Sequence, residues 1–390
     1  MSFRFRLPFL CDGTTSCELL TGDDPDSVCC ENKIVNNTDI LINAKLRSAQ
    51  NGAHAVLAPT EGANHAHLEE MGFGEYFIQF NTALVRATTD GVKGLVPVGG
   101  AVLPTGSTSL PYSKNVFEDA YFKYLEKLTI LKDAGTDFIL LSRQNSLLDM
   151  RAGVLAAKAL KMTVFAAMQT DSDGKSENDT DYIAALVTLQ SIGADAFGIY
   201  CEDTDSLCEL LKRAFPHAEI PLIAVIDTEK LSCDELKKIC SSGASVFIDS
   251  SCYRDKEKYD ILIGFEPEFS PIGQKDSYAA ATEREAFFLP DNLEISEPLL
   301  CSFDMSDELI DLDDENINAV FLELNTTDDA AFLCENARMS RLPFLIRAND
   351  EITLEAALRY YQGRLIVDSR CDIDREVLTE LSKKYGAILY

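Results

Sequence analysis

The chain has 390 residues, 46% of them hydrophobic, and a formal net charge of −29. That length exceeds what one core usually organises, so a large domain and a smaller one are expected, and the apolar content excludes a disordered chain. The negative charge excludes nucleic acid and anionic membrane surfaces as partners.

Short apolar strands alternate with helix-period segments from the start. In chain order, "PFLCDG" precedes "PDSVCCENKIV", "AHAVLAPTEGAN" precedes "HLEEMGFGEYFIQFNTALVRAT", and "GLVPVGGAVLPTG" precedes "FEDAYFKYLEKLTILKDAG". "DFILLSRQ" then leads to "LLDMRAGVLAAKAL", and "MTVFAAMQT" to "DTDYIAALVTLQSIG". "ADAFGIYC" leads to "SLCELLKRAF", "IPLIAVID" to "SCDELKKICSSG", and "ASVFIDSSC" to "YRDKEKYDIL". Strands that are apolar throughout are buried on both faces, as in a parallel sheet covered by helices. Eight such units in about 250 residues predict a (β/α)8 barrel over residues 1–264. An open doubly wound sheet would want GxGxxG after the first strand, and "CDGTTSCEL" is not that.

Residues 265–290 mix Pro, Gly and charge without a clear period and read as a linker. Beyond it, residues 291–390 read as a smaller α/β domain. Its strands are "EPLLCSFD", "NAVFLELN", "LPFLIRAN", "RLIVDSR" and "AILY", with helices between them. Five strands are too few for a second closed barrel, so this sheet is expected to pack on the first domain or on a second copy, making the chain a homo-oligomer. No apolar run is long enough to span a bilayer and no signal peptide is evident, so a cytoplasmic protein is expected. The twelve scattered cysteines, with no CxxC pair, agree with a reducing compartment.

In a (β/α)8 barrel the chemistry sits at the C-terminal ends of the strands. Two thiols stand there, Cys201 after strand six and Cys252 after strand eight, close enough in the barrel to converge on one ion. Cysteine also packs as a small hydrophobe, so ligand and core roles both stand for Cys201. Cys29, Cys30, Cys208, Cys233 and Cys240 fall on helical segments and read as packing. His65 and His67, at i and i+2 of one helix, do not face each other and read as capping or surface residues.

The strings "DGTTSCELL", "EGANHAHLEEMGF", "VGGAVLPTG" and "GADAFGIYC" resemble DGxMGTxL, FGANxxxLxxYG, VAGSxGPTG and GADAxGxNC of the homocysteine S-methyltransferase family, over about Leu7 to Tyr259. The resemblance implies a barrel that uses Zn²⁺ to bind a small thiol, homocysteine or a relative, as its thiolate and methylates it. The implied metal ligands are Cys201, Ser251 and Cys252. Substrate-facing candidates at the strand ends are Asp12, Gly13, Thr15, Thr60, Asn64, Ser142, Arg143 and Asp227. The methyl donor would be a methylated small molecule or a separate corrinoid protein, since no cobalamin-binding segment follows.

The departures from the pattern converge on the cleft. "DSSCYRD" stands where the family has GGCCGT, with Ser251 on the first ligand cysteine and a one-residue insertion. Ser142 and Arg143 replace Glu-Thr, Glu61 replaces an aromatic residue, and Tyr200 replaces Asn. A family member that has lost zinc and serves as a binding or structural subunit is the alternative reading. The C-terminal segment resembles the start of a pterin-binding barrel, with Arg347 and Asp368 where that family has Asp and Asn, so folate binding is not expected.

Overall fold

The structure, a computed structural model, describes residues 3–20, 28–106, 113–251, 255–267 and 279–390. Eight parallel strands close in chain order: β1 (Phe9–Asp12), β2 (Ala55–Ala58), β3 (Val98–Val102), β4 (Phe138–Gln144), β5 (Thr163–Gln169), β6 (Ala196–Tyr200), β7 (Leu222–Ile226) and β8 (Ala244–Asp249). β8 pairs back onto β1 through Phe9–Asp12 against Val246–Asp249. Helices α1 (Ser16–Leu19), α2 (Cys30–Asn36) and α3 (Asp39–Gln50) follow β1, and α4 (His65–Glu70) and α5 (Phe77–Val92) follow β2. One helix then follows each strand in turn: α6 (Lys114–Ala134), α7 (Leu147–Ala159), α8 (Tyr182–Ser191), α9 (Thr204–Ala214), α10 (Cys233–Cys240) and α11 (Lys256–Ile263). The expected (β/α)8 barrel is therefore present.

Local chemistry agrees with these boundaries. Ser146, Asp181, Asp203 and Ser232 accept first-turn backbone N–H groups of α7, α8, α9 and α10. Alternate strand residues split the core in two. Phe9, Cys11, Leu57, Phe138, Leu140, Phe165 and Ile223 fill the barrel, while their neighbours Leu10, Val56, Ile139 and Val164 face the helices. Gly99 makes room inside, since a Cβ there would lie 2.5 Å from the Phe138 ring. At the strands' N-terminal ends Phe3 stacks on Phe138 at 5.0 Å and Phe5 meets Phe165 edge-on at 4.9 Å, so aromatic rings floor the barrel.

Within the segment read as a linker, β9 (Ala279–Ala281) and β10 (Ala286–Phe288) form an antiparallel hairpin. Its small side chains let it lie against α8, where Ala279 and Ala281 pack on Ala184 and Val187. The other edge of β9 holds the C-terminal domain: Arg364 N donates to Ala281 O at 2.8 Å, and a Cβ on Gly363 would collide with that carbonyl at 1.8 Å.

The C-terminal sheet has five parallel strands in sequential order, β11 (Leu299–Leu300), β12 (Val320–Leu324), β13 (Phe344–Ala348), β14 (Ile366–Val367) and β15 (Ile388–Leu389). They alternate with α12 (Ser306–Leu312), α13 (Thr327–Asn336), α14 (Glu351–Tyr360) and α15 (Arg375–Tyr385). Sequential parallel order is that of neighbouring barrel strands, here left as an open arc. One face packs Phe321, Leu345, Ile366 and Ile388 against Leu289, Leu293 and Ile295. The helix-covered face joins the same apolar cluster as the first barrel's shell. Arg359 on α14 makes two hydrogen bonds, 2.7 and 2.9 Å, to the Glu118 carboxylate on α6. Arg151 on α7 reaches the carbonyls of Leu358 and Arg359.

Candidate functional site

The loops at the C-terminal ends of β1 and β8 are held by two buried carboxylates. Asp12 is 0% exposed; its Oδ1 accepts from Thr14 N at 2.9 Å, from Thr14 Oγ1 at 2.6 Å and from Lys45 Nζ at 3.3 Å. It pairs with a lysine from α3, which fixes the carboxylate at the end of β1. Gly13 is a packing glycine, because a Cβ there would meet Ile248 at 2.6 Å. Thr15 caps α1 in a capping box with Glu18.

Asp249 is the second carboxylate. Its Oδ1 accepts from Thr228 N and Ser251 N, and its Oδ2 from the hydroxyls of Thr228, Ser251 and Tyr259, at 2.9–3.1 Å. The Ser251 hydroxyl also lies 3.0 Å from Thr228 Oγ1. It is committed to this network, so Ser251 does not fit the expected role of metal ligand. Cys252 lies outside the described residues.

Thr60 stands at the end of β2. Its hydroxyl donates to Ala101 O at 2.8 Å and accepts from Ala101 N at 3.1 Å, latching β2 to β3. Asn64 caps α4 by accepting from His67 N. Lys127 of α6 buries its ammonium beneath this loop, donating to Thr60 O and Ala63 O at 2.7 and 3.0 Å. Burial pulls Lys127 down to about 7, against the opposing pull of Glu31 and Glu61. Burial raises Glu61, while a hydrogen bond from Ser142 and the nearby Arg143 charge work the other way.

A folded-state lysine below its unfolded value binds fewer protons than the unfolded chain across the interval between the two. Its contribution to stability therefore rises with pH, from about 7 towards its unfolded value of about 10.4. Relative to Lys127→Met, the parent is expected to gain about 3 kcal/mol of unfolding free energy between pH 7 and pH 10, at about 1.36 kcal/mol per unit. Urea unfolding of both proteins across that range measures it, and a flat difference refutes it.

The mouth itself opens between β4 and β7. A cavity of about 500 Å³ is walled by Arg143, Asn145, Asp171, Lys175, Tyr200 and Cys201 among others. A second, of about 440 Å³, shares Tyr200 and Cys201 and adds Asp227 and Lys230. Arg143 ends β4 with φ 48°, in the left-handed region, and its guanidinium lies 4.7 Å over the Tyr200 ring. Asp227 pairs with Lys230 at 2.9 Å. The structure thus places Arg143 and Cys201 in the wall of the first cavity and Asp227 in the adjoining one, while Ser142 is buried against Glu61.

Cys201 is 9% exposed and its thiol approaches Asp171 O at 3.7 Å. Burial raises its pKa, and the carboxylates of Asp203, Asp171 and Glu202 add to that. Zinc would need thiolates here. Among the described residues Cys201 joins no group of three His, Cys, Asp or Glu side chains with ligand atoms close enough to share an ion. A serine engaged by Thr228 and Asp249 in place of the first ligand cysteine does not fit the three-cysteine zinc site that the motif implies.

Sequence reasoning missed a different group. Cys29, Glu31 and His67 place their ligand atoms within 4.8 Å of one another. Cys29 and Cys30 are buried, as the packing reading expects, but Cys29 Sγ lies 3.8 Å from Glu31 Oε2. His67 Nε2 lies 3.8 Å from the same oxygen. His65 turns away, 3.0 Å from Glu126 and stacked on Phe77.

No curated protein matches the chain. Among solved structures it is similar to the homocysteine methyltransferase MmuM from Escherichia coli. In the metallated form the identity is 18% and the TM-score 0.54, covering 66% of this chain and 96% of that one. For the oxidized form the figures are 17%, 0.53, 65% and 94%. At such identity the likeness shows the fold. The sequence profile described as homocysteine S-methyltransferase matches residues 9–253, and the chain therefore belongs to the homocysteine S-methyltransferase family.

Proposed function

We propose that the mouth of the first barrel binds a small thiol bearing a carboxylate and no free amine, and that the thiol's sulfur accepts a methyl group there. Arg143 carries this reading. It stands where the resemblance expects an acidic neighbourhood, and it is held in a sparsely populated backbone region over Tyr200 in the cavity wall. Strain of that kind is characteristic of functional positions. A guanidinium there repels the ammonium of homocysteine and attracts a carboxylate. It also favours the thiolate of a nearby thiol, the nucleophilic form.

In the transfer the sulfur–carbon bond forms as the donor–methyl bond breaks, and the thiol proton leaves to water. The donor is a methylated small molecule or a separate corrinoid protein. No step passes through zinc, because Ser251 does not fit as a ligand. The described cysteines form no disulfide with one another, which suits a cytoplasmic setting. In the C-terminal arc, Arg347 bridges Glu323 and Asp368 across the strand ends, an ionic arrangement that supports a role in packing and association rather than in pterin binding.

Calorimetry with a dicarboxylic thiol and with homocysteine tests the reading. The dicarboxylic thiol is expected to bind more tightly, and Arg143→Gln to weaken it about 10- to 100-fold, as for loss of a charged hydrogen bond. Tighter homocysteine binding that Arg143→Gln leaves unchanged overturns it. The second reading, a binding subunit without turnover, is favoured by the commitment of Ser251 to Asp249 and Thr228. Binding of the acid thiol with no methyl thioether detected by mass spectrometry, for either donor class, would establish it.

A further inference from the structure

We infer that Cys29, Glu31 and His67 form a binding site for a divalent, borderline-soft metal ion such as zinc, separate from the barrel mouth. Two segments converge to build it, the start of α2 and the start of α4. Cys29 is the residue immediately before α2 and is buried. Glu31 lies in the first turn of α2, with its carboxylate buried. His67 lies in the first turn of α4, set there by the Asn64 cap, with its imidazole 28% exposed.

The spacing suits one ion. Sulfur, oxygen and nitrogen ligands about 2.0–2.3 Å from a tetrahedral zinc lie about 3.3–3.7 Å apart. Two edges of this triangle are 3.8 Å and the third lies within 4.8 Å, so closure needs shifts of up to about 1 Å, the largest between Cys29 and His67. The loop after β2 leaves space for the carboxylate: a Cβ on Gly62 would lie 2.4 Å from Glu31 Oε1. The charges also balance. A thiolate, a carboxylate and a neutral imidazole with a dication sum to zero, and the nearby Lys127 is pulled by burial towards its neutral form. Three protein ligands leave the fourth position to water on the side where His67 meets solvent.

X-ray absorption on the full-length chain loaded with zinc alone tests the assignment. The expected zinc shell holds one sulfur with nitrogen and oxygen neighbours. About one zinc per chain is expected, lost in Cys29→Ser and in His67→Gln and retained in Cys201→Ala. Circular dichroism checks that the variants fold, and the ratio of sulfur to lighter ligands in the parent decides the matter if they do not. A shell with two or more sulfurs places the ion elsewhere and overturns the inference. So does zinc lost in Cys201→Ala but kept in Cys29→Ser, or a parent that takes up no zinc.

Discussion

Replacing Arg151 with methionine is expected to lower the stability of the chain by about 3–5 kcal/mol, because it strands two buried carbonyls. Arg151 is 1% exposed on α7; its Nη2 donates to Leu358 O at 2.8 Å and its Nη1 to Arg359 O at 3.2 Å. Those carbonyls belong to the last turn of α14, where a helix has no partners of its own for them and where a cation is favoured by the helix dipole. Methionine keeps the apolar bulk beneath Phe117 and removes both donors. At about 2–4 °C per kcal/mol for a large domain, the melting temperature should fall by about 10 °C. Hydrogen exchange should rise first in α14, since that helix loses its anchor. Arg151→Lys restores one donor and should recover part of the loss. A fall below about 1 kcal/mol would show that Glu118–Arg359 and the apolar interface suffice.

Asp249 gives the second large effect, and the choice of substitution matters. Its Oδ1 accepts two backbone N–H groups, which cannot reorient, whereas its Oδ2 accepts three hydroxyls, which can. Asp249→Asn can keep its oxygen towards the N–H pair and turn its amide towards the hydroxyls, at a cost of about 1–2 kcal/mol. Asp249→Ala orphans every donor in a fully buried site and is expected to cost more than about 4 kcal/mol, enough to leave the barrel unfolded or nearly so. Guanidinium unfolding of the two variants separates these outcomes, and equal effects would contradict the division of labour between the two oxygens.

The barrel was legible because its strands are apolar on both faces, a pattern local to each segment. Cys201 was legible because it directly follows one such strand. The roles of the polar residues were not, because their partners come from far along the chain. The pairing of Asp12 with Lys45, on a helix 33 residues later, has no local signature. Ser251 looks like a ligand stand-in until Thr228 and Asp249 take its hydroxyl. The spacing of His65 and His67 rightly says that they do not meet each other. It is silent on His67 meeting Glu31, which arrives from the loops after another strand. The hairpin Ala279–Phe288 escaped because two three-residue strands carry too little periodicity to register.

The phenylalanine floor leaves the first barrel with a single accessible end. Phe3 and Phe5 close the end opposite the mouth against Phe138 and Phe165, so nothing passes through. Whatever enters beside Cys201 must back out the same way. Two reactants cannot approach from opposite ends. With the bore itself packed by Phe9, Leu57, Phe138 and Phe165, they can meet only among the loops at the rim, and the two adjoining cavities there give each its own side of Tyr200 and Cys201.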